Sequence, residues 1–281
     1  MSIKPLTMIM KHLIALLCIA LLANPVAAQT REIREVPTFQ KISYRIPGKL
    51  FLRQGSPQKV VLEGDRERIE EIKTTVKGDR LIIGDEDEDR WFTWDLGNQE
   101  KLNVYITVEH IDGLYVSGSG NAIGETTINA DQLDMKVSGS GSLELNVAVV
   151  NDIKADVSGS GDLKVKGNCK DLDSSISGSG RVFIANAISG DARFRVSGSG
   201  KVLASGTAQS VEADISGSGK VLAAELETGR CEVRISGSGD VEINVKDELD
   251  AKISGSGSVA YKGSPRHVNS HSSGSGKVRK L

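Results

Sequence analysis

Strict alternation of apolar and polar residues fills most of the chain beyond residue 100, and Ser-Gly-Ser-Gly interrupts it at a nearly fixed interval. Before the tetrapeptide the pattern reads Ile153-x-Ala155-x-Val157, Val211-x-Ala213-x-Ile215, Cys231-x-Val233-x-Ile235 and Leu249-x-Ala251-x-Ile253. After it come Leu143-x-Leu145, Leu163-x-Val165, Val182-x-Ile184 and Val241-x-Ile243. A period of two on both sides predicts strand, bend, strand. The tetrapeptide begins at Ser117, Ser138, Ser158, Ser177, Ser197, Ser216, Ser236, Ser254 and Ser273, with spacings of 18 to 21 residues. Flexible Gly/Ser linkers would be placed irregularly between separate domains. A short repeat without a helical stretch, stacked many times, is instead the signature of a solenoid.

The expected fold is therefore all-β: a parallel β-helix, or solenoid, with 18–21-residue turns, each carrying a Ser-Gly-Ser-Gly bend. A leucine-rich repeat would need Leu-x-x-Leu-x-Leu-x-x-Asn, and no copy supplies it. Carrying the alternation through the bend places Val137, Gly139, Gly141 and Leu143 inside and Ser138 and Ser140 outside, so that the serines form hydroxyl ladders. No proline occurs between Pro57 and Pro265, as an uninterrupted backbone ladder requires. The last turn, His267 to Lys280, is polar where the others are apolar, as a terminal turn should be. Residues 29–113 lack the motif but carry strand patterns at Gly48–Arg53, Lys59–Glu63, Arg80–Gly84 and Leu102–Val108. They are expected to be the first irregular turns of the same solenoid, with regular repeats over 114–281.

The N-terminus carries Lys4 and Lys11, an apolar run from Leu13 to Leu22, a break at Asn24-Pro25, and then Val26-Ala27-Ala28. This reads as a signal peptide over 1–28, cleaved after Ala28. The apolar run is too short to span a bilayer, and no later segment is apolar enough. Leu16 and Leu17 before Cys18 argue against a lipid anchor. The product is expected in the periplasm, on the outer cell surface or secreted. The formal net charge of −2 shows no basic excess for nucleic acid. Cys169 and Cys231 fall three turns apart, roughly 14 Å, beyond the reach of a disulfide.

Around these strands the sequence resembles the head GIN domain family of auto-transporter adhesins. The resemblance rests on Phe39-Gln40-Lys41-Ile42, Leu50-Phe51-Leu52-Arg53-Gln54-Gly55, Leu81-Ile82-Ile83, and Val104-Tyr105-Ile106-Thr107-Val108 running into Leu114-Tyr115-Val116-Ser117-Gly118-Ser119-Gly120. It implies an all-β solenoid outside the cytoplasm, and it brings no catalytic residues with it.

Candidate chemistry is sparse. Gly198–Lys201, Gly217–Lys220 and Gly274–Lys277 lack the leading glycine, the Ser/Thr after Lys and the following helix of a phosphate loop. The outward column Asp134, Lys154, Asp173, Arg193, Glu212, Glu232, Asp250 ends in three stacked carboxylates, which suit a Ca²⁺ site or glycoside cleavage. The neighbouring column Lys136, Asp156, Ser175, Arg195, Asp214, Arg234, Lys252 puts a base within diagonal reach of each acid and favours a salt-bridge lattice. His110, His267 and His271 are too dispersed for a chelate or triad. No cofactor, metal or catalytic residue is therefore expected.

Exposed apolar and aromatic residues remain. Trp91 and Trp94 follow an acidic run, and either plug the solenoid or contact a partner or glycan. Phe183, Leu203 and Leu222 occupy one outward position on three successive turns, a stripe that would meet a partner, a second copy or the N-terminal segment. The expected function is a non-enzymatic binding or adhesion module of the cell envelope, with glycan, envelope protein or self-association as partners. The alternatives are a polysaccharide lyase or hydrolase acting through Glu212, Glu232 and Asp250, and an ice- or mineral-binding serine face.

Overall fold

The computed structural model describes residues 30–85 and 102–281; residues 1–28, expected to be a signal peptide, and the Trp91 and Trp94 positions lie outside the described residues. The chain winds as a parallel β-solenoid. Each turn contributes one strand before the Ser-Gly-Ser-Gly bend and one after it, such as Asp152–Gly159 and Asp162–Cys169, then Asp171–Gly178 and Arg181–Ile188. We call the two surfaces the leading and the trailing face. Further along, single strands such as Lys201–Gly217 and Lys220–Gly237 pass from one trailing position round to the next bend without a break.

Motif stacks on motif. Ser138 pairs with Ser158, Ser158 with Ser177, Ser177 with Ser197, Ser197 with Ser216, Ser216 with Ser236, Ser236 with Ser254 and Ser254 with Ser273. The variation in repeat length is absorbed elsewhere: register shifts fall between Glu144 and Asn146, Leu203 and Ser205, Ala223 and Glu227, and Thr228 and Arg230, all between one bend and the start of the next leading strand. Such irregularities accommodate extra residues without disturbing the ladder on either side.

The two glycines of each motif do different work. Gly200 is buried, and a Cβ there would come within 2.5 Å of the Ile176 Cγ2 in the preceding turn, so the second glycine is where the core leaves no room. Gly198 is only half-buried and has φ +111°; a Cβ there would meet the backbone carbonyl of Gly178 at 2.7 Å. The first glycine therefore does not point into the core, as the alternation had placed it, but along the solenoid axis at the preceding turn. It is required by its left-handed backbone conformation and by the close approach of that carbonyl. The carbonyls are used: Ser199 N–H donates to Gly178 O at 2.9 Å and Lys201 N–H to Gly180 O at 3.0 Å, and Ser218 and Lys220 repeat this on Gly198 and Gly200.

Between the bends the interior is filled by aliphatic columns. Val137, Val157, Ile176, Val196, Ile215, Ile235 and Ile253 line the leading wall, and Leu143, Leu163, Val182, Val202, Val221, Val241 and Val259 the trailing wall, all at most 3% exposed. Cys169 and Cys231 are buried and unbridged. Desolvation pushes their thiols up to about 11 and about 12, respectively.

At the N-terminal end the order of strands departs from the order of the chain. Lys49–Gln54 pairs in parallel with both Asn103–Val108 and Asn121–Ala130, so it lies between two later strands. Likewise Lys41–Tyr44 lies between Arg80–Ile83 and Gly113–Gly118. Antiparallel strands add to this end: Thr30–Arg34 pairs with Lys59–Gly64, itself antiparallel to Asn103–Val108, and Thr74–Lys77 pairs with Arg80–Ile83. A short helix, Arg66–Glu71, buries Ile69. The other end has no such cover among the described residues; its last turn, His267–Gly274, is exposed along its whole length. No described helix is long and apolar enough to cross a membrane.

The packing sets two expectations. Gly200→Val should destabilise the protein by about 3 kcal/mol or more through overpacking, whereas Ser199→Ala should stay within about 0.5 kcal/mol; denaturant melts showing the reverse order would contradict the assigned register. Both thiols should be inert to alkylation in the native protein at neutral pH, being buried and protonated, and both should react after denaturation without reductant. Intact mass reads the number of labels directly, and a two-hydrogen deficit would reveal a disulfide.

Candidate functional site

With the interior occupied, function is left to the outward columns. On the trailing face Phe183 pairs in register with Leu203 and Leu203 with Leu222. All three are half-buried, whereas their strand neighbours Val182, Ile184, Val202 and Ala204 are buried. The Arg181 guanidinium lies 5.7 Å from the centre of the Phe183 ring and is held there by two hydrogen bonds to Asp162, of 2.8 and 2.6 Å. Cation and ring attract each other in this arrangement. Glu242, paired with Leu222, closes one end of the stripe.

In the other direction the same column continues through Lys164 and Glu144, joined by a 2.6 Å ion pair, to Ile123, Phe51 and Tyr105. Ile123 is 37% exposed, and the Phe51 and Tyr105 rings stack at 5.1 Å. The trailing face thus carries two apolar patches on one line, separated by a single ion pair. Alternation alone would have found Ile123, Phe51 and Tyr105 as outward residues. It would not have aligned Phe51 and Tyr105 with Ile123, because the Phe51 strand is inserted out of sequence between the other two.

The leading face carries the charged lattice. Glu212 accepts from Arg193 at 2.7 Å and from Arg234 at 2.6 Å. Arg234 also donates to Glu232 at 2.6 Å and Asp214 at 3.3 Å, Arg195 to Asp173 at 2.9 Å, and Lys252 lies 3.5 Å from Glu232. The hydrogen bonds from Arg193 and Arg234 hold the Glu212 carboxyl below the usual carboxylate range. That is the wrong direction for a general acid in glycoside cleavage, which needs a raised value. Nor do three His, Cys, Asp or Glu side chains converge to hold a metal ion among the described residues.

Beside this lattice runs an open groove of about 660 Å³. One wall is the column Ser175, Arg195, Asp214, Arg234, Lys252, His271, and the other the serine column from Ser177 to Ser273, with the strands between them as floor. Sequence reasoning identified both columns without recognising the groove, whose shape depends on where the long side chains lean.

Fold and surface together define a parallel β-solenoid that presents repeated columns of side chains to solvent. A family model described as "Putative auto-transporter adhesin, head GIN domain" matches residues 38–204 and 187–265, and the chain belongs to this family. Solved structures share the fold at low identity. A "putative adhesin" from Parabacteroides merdae is 20% identical, with a TM-score of 0.69 over 91% of this chain and 97% of that one. A "Putative lipid binding protein" from Parabacteroides distasonis is also 20% identical, with a TM-score of 0.67 over 91% and 98%. A second "putative adhesin" from P. distasonis is 18% identical, with a TM-score of 0.61 over 91% and 98%. No curated protein matches the chain significantly.

The lattice predicts a small, pH-dependent contribution to stability. A carboxylate lowered in the folded state stabilises above its unfolded pKa, and that stability is lost as pH falls through the folded value. Glu212→Gln should therefore cost no more than about 1 kcal/mol at neutral pH, as exposed ion pairs do, and the difference from wild type should vanish in acid. Urea titrations at both pH values measure it; a larger deficit in acid would contradict the sign.

Proposed function

We propose that this chain is an exported, non-enzymatic binding module of the cell envelope. Its best contact surface is the stripe Phe183, Leu203 and Leu222. The observation that carries this reading is the register of the three residues in one outward column, bounded by Lys164 and Glu242. Exposed apolar side chains aligned on successive turns give a partner a continuous surface to desolvate. Membership of an adhesin family and a signal-like N-terminus agree with it. Trp91 and Trp94 remain further candidates for the same role. Residues 29–113 are read as the first turns of the same solenoid, since Lys41–Tyr44 and Lys49–Gln54 pair in parallel with strands of the motif-bearing region.

A polysaccharide-cleaving enzyme is the rival. Glu212, Glu232 and Asp250 do stack on consecutive turns, but Glu212 is clamped as a carboxylate between two arginines and Glu232 is bound to Arg234 and Lys252. Glu212, so engaged, is a poor proton donor.

Two pairs of substitutions separate the classes. Phe183→Ser with Leu203→Ser should weaken binding to cell-envelope fragments, or self-association, by about tenfold or more, with little change in melting temperature because both residues point outward. Glu212→Gln with Glu232→Gln should leave binding unchanged. Polysaccharide cleavage abolished by the Glu pair, with the apolar pair silent, would overturn the binding-module reading.

A further inference from the structure

We infer that the leading-face groove is a second binding site, and that its ligand is a linear, uncharged, β-1,4-linked glycan lying parallel to the solenoid axis. This rests on the binding-module reading and adds a site and a ligand class to it.

Geometry limits the occupant first. The groove follows six successive turns, from Ser177 to Ser273, in register throughout. Its walls stand two residues apart on each strand, about 6.6 Å, and five steps between turns make it about 24 Å long. That admits one extended chain and no folded ligand. Two turns span about 9.6 Å, close to the length of a disaccharide in an extended β-1,4-linked chain, so successive sugars can meet equivalent surroundings.

The walls then select the chemistry. The serine wall presents Ser177, Ser197, Ser216, Ser236, Ser254 and Ser273, all exposed, and no side-chain hydrogen bond to another described residue engages them. Each hydroxyl can donate and accept, which complements a ligand made of hydroxyls. Opposite them, Arg195 donates to Asp173, and Arg234 to Glu212 and Glu232, acids that lie on the far side of the wall from the serines. Those ion pairs draw the charged heads away and leave methylene stems beside the groove. Stems of this kind suit the C–H faces of sugar rings.

Other ligand classes fit less well. A polyanion needs free cations, and Arg195, Arg234 and Lys252 are all matched by acids. An acyl chain needs apolar side chains, and the wall and serine columns carry none; the isoleucines and valines of the lining face the core. A peptide strand needs free backbone donors, but each floor strand pairs with its neighbouring turns, and only the outermost turn at His267–Gly274 has an unpaired side.

Calorimetry of the mature protein against the series from cellobiose to cellohexaose tests the inference, with maltohexaose and alginate as controls. Affinity should rise with each added sugar, change little in high salt, and exceed that for either control. Ser216→Leu with Ser236→Leu should fill the groove from exposed positions and lower cellohexaose affinity by about tenfold or more, while Phe183→Ser with Leu203→Ser should leave it unchanged. Melting curves verify that both variants fold. Cellohexaose binding that survives the groove pair, binding confined to alginate and lost in salt, or no oligosaccharide binding at all would each overturn the inference. In the last case, envelope binding that is still lost with the apolar pair leaves the binding-module reading standing. Loss of neither would bring down both.

Discussion

The fold depends on the hydrogen bonds that each Ser-Gly-Ser-Gly bend makes to the bend of the turn before it. Gly178 and Gly180 turn their carbonyls to Ser199 and Lys201, and Gly198 and Gly200 turn theirs to Ser218 and Lys220. A Cβ at either motif position would collide with the preceding turn, once with backbone and once with the core. The bend can therefore be built only where two glycines recur at a fixed separation. Because every turn starts from the same hydrogen bonds, the strands on both sides begin in register, and insertions collect between one bend and the next leading strand.

Register turns a sequence repeat into columns, and columns carry the remaining properties of the molecule. The inward columns that flank the bend are aliphatic and interchangeable, since stacked Val, Ile and Leu fill similar volumes, whereas Ser174 and Asn186 bury polar side chains elsewhere in the interior. Outward columns form distinct surfaces. One is a lattice in which acids and bases neutralise each other diagonally, one is a ladder of serines, and one is an apolar stripe broken by the Lys164–Glu144 pair. The Glu212 carboxyl is held below the usual range by Arg193 and Arg234, and among the described residues no three His, Cys, Asp or Glu side chains gather to hold a metal ion. What such a scaffold offers is repeated contact along its length, in keeping with the binding-module reading proposed above.

Much of this was written in the chain. The period of two and the recurring motif gave the solenoid, the inward columns and the separation of Cys169 from Cys231, because in a regular stack sequence distance converts directly into space. The first glycine of each motif misled simple alternation, since a residue with positive φ does not continue the strand's two-fold pattern. The pairing of the N-terminal strands was hidden for a different reason: Lys49–Gln54 and Lys41–Tyr44 insert between strands that come later in the chain. Ile123 joins the column of Phe183, Leu203 and Leu222 by the regular register, whereas Phe51 and Tyr105 are brought into line only by that insertion. The groove was hidden because it is shaped by the direction in which Arg195 and Arg234 lean, a matter of tertiary ion pairs.

The central claim is that the motifs stack turn upon turn at the spacing of a β-ladder. Spin labels at Ser138→Cys with Ser254→Cys, and at Ser177→Cys with Ser254→Cys, in a Cys169→Ala, Cys231→Ala background, measure it directly. The first pair is six turns apart and the second four, so pulsed electron paramagnetic resonance should give narrow distances near about 29 Å and about 19 Å. A difference between the pairs of less than one turn, or broad distributions for both, would contradict the stacked register on which every surface described above depends.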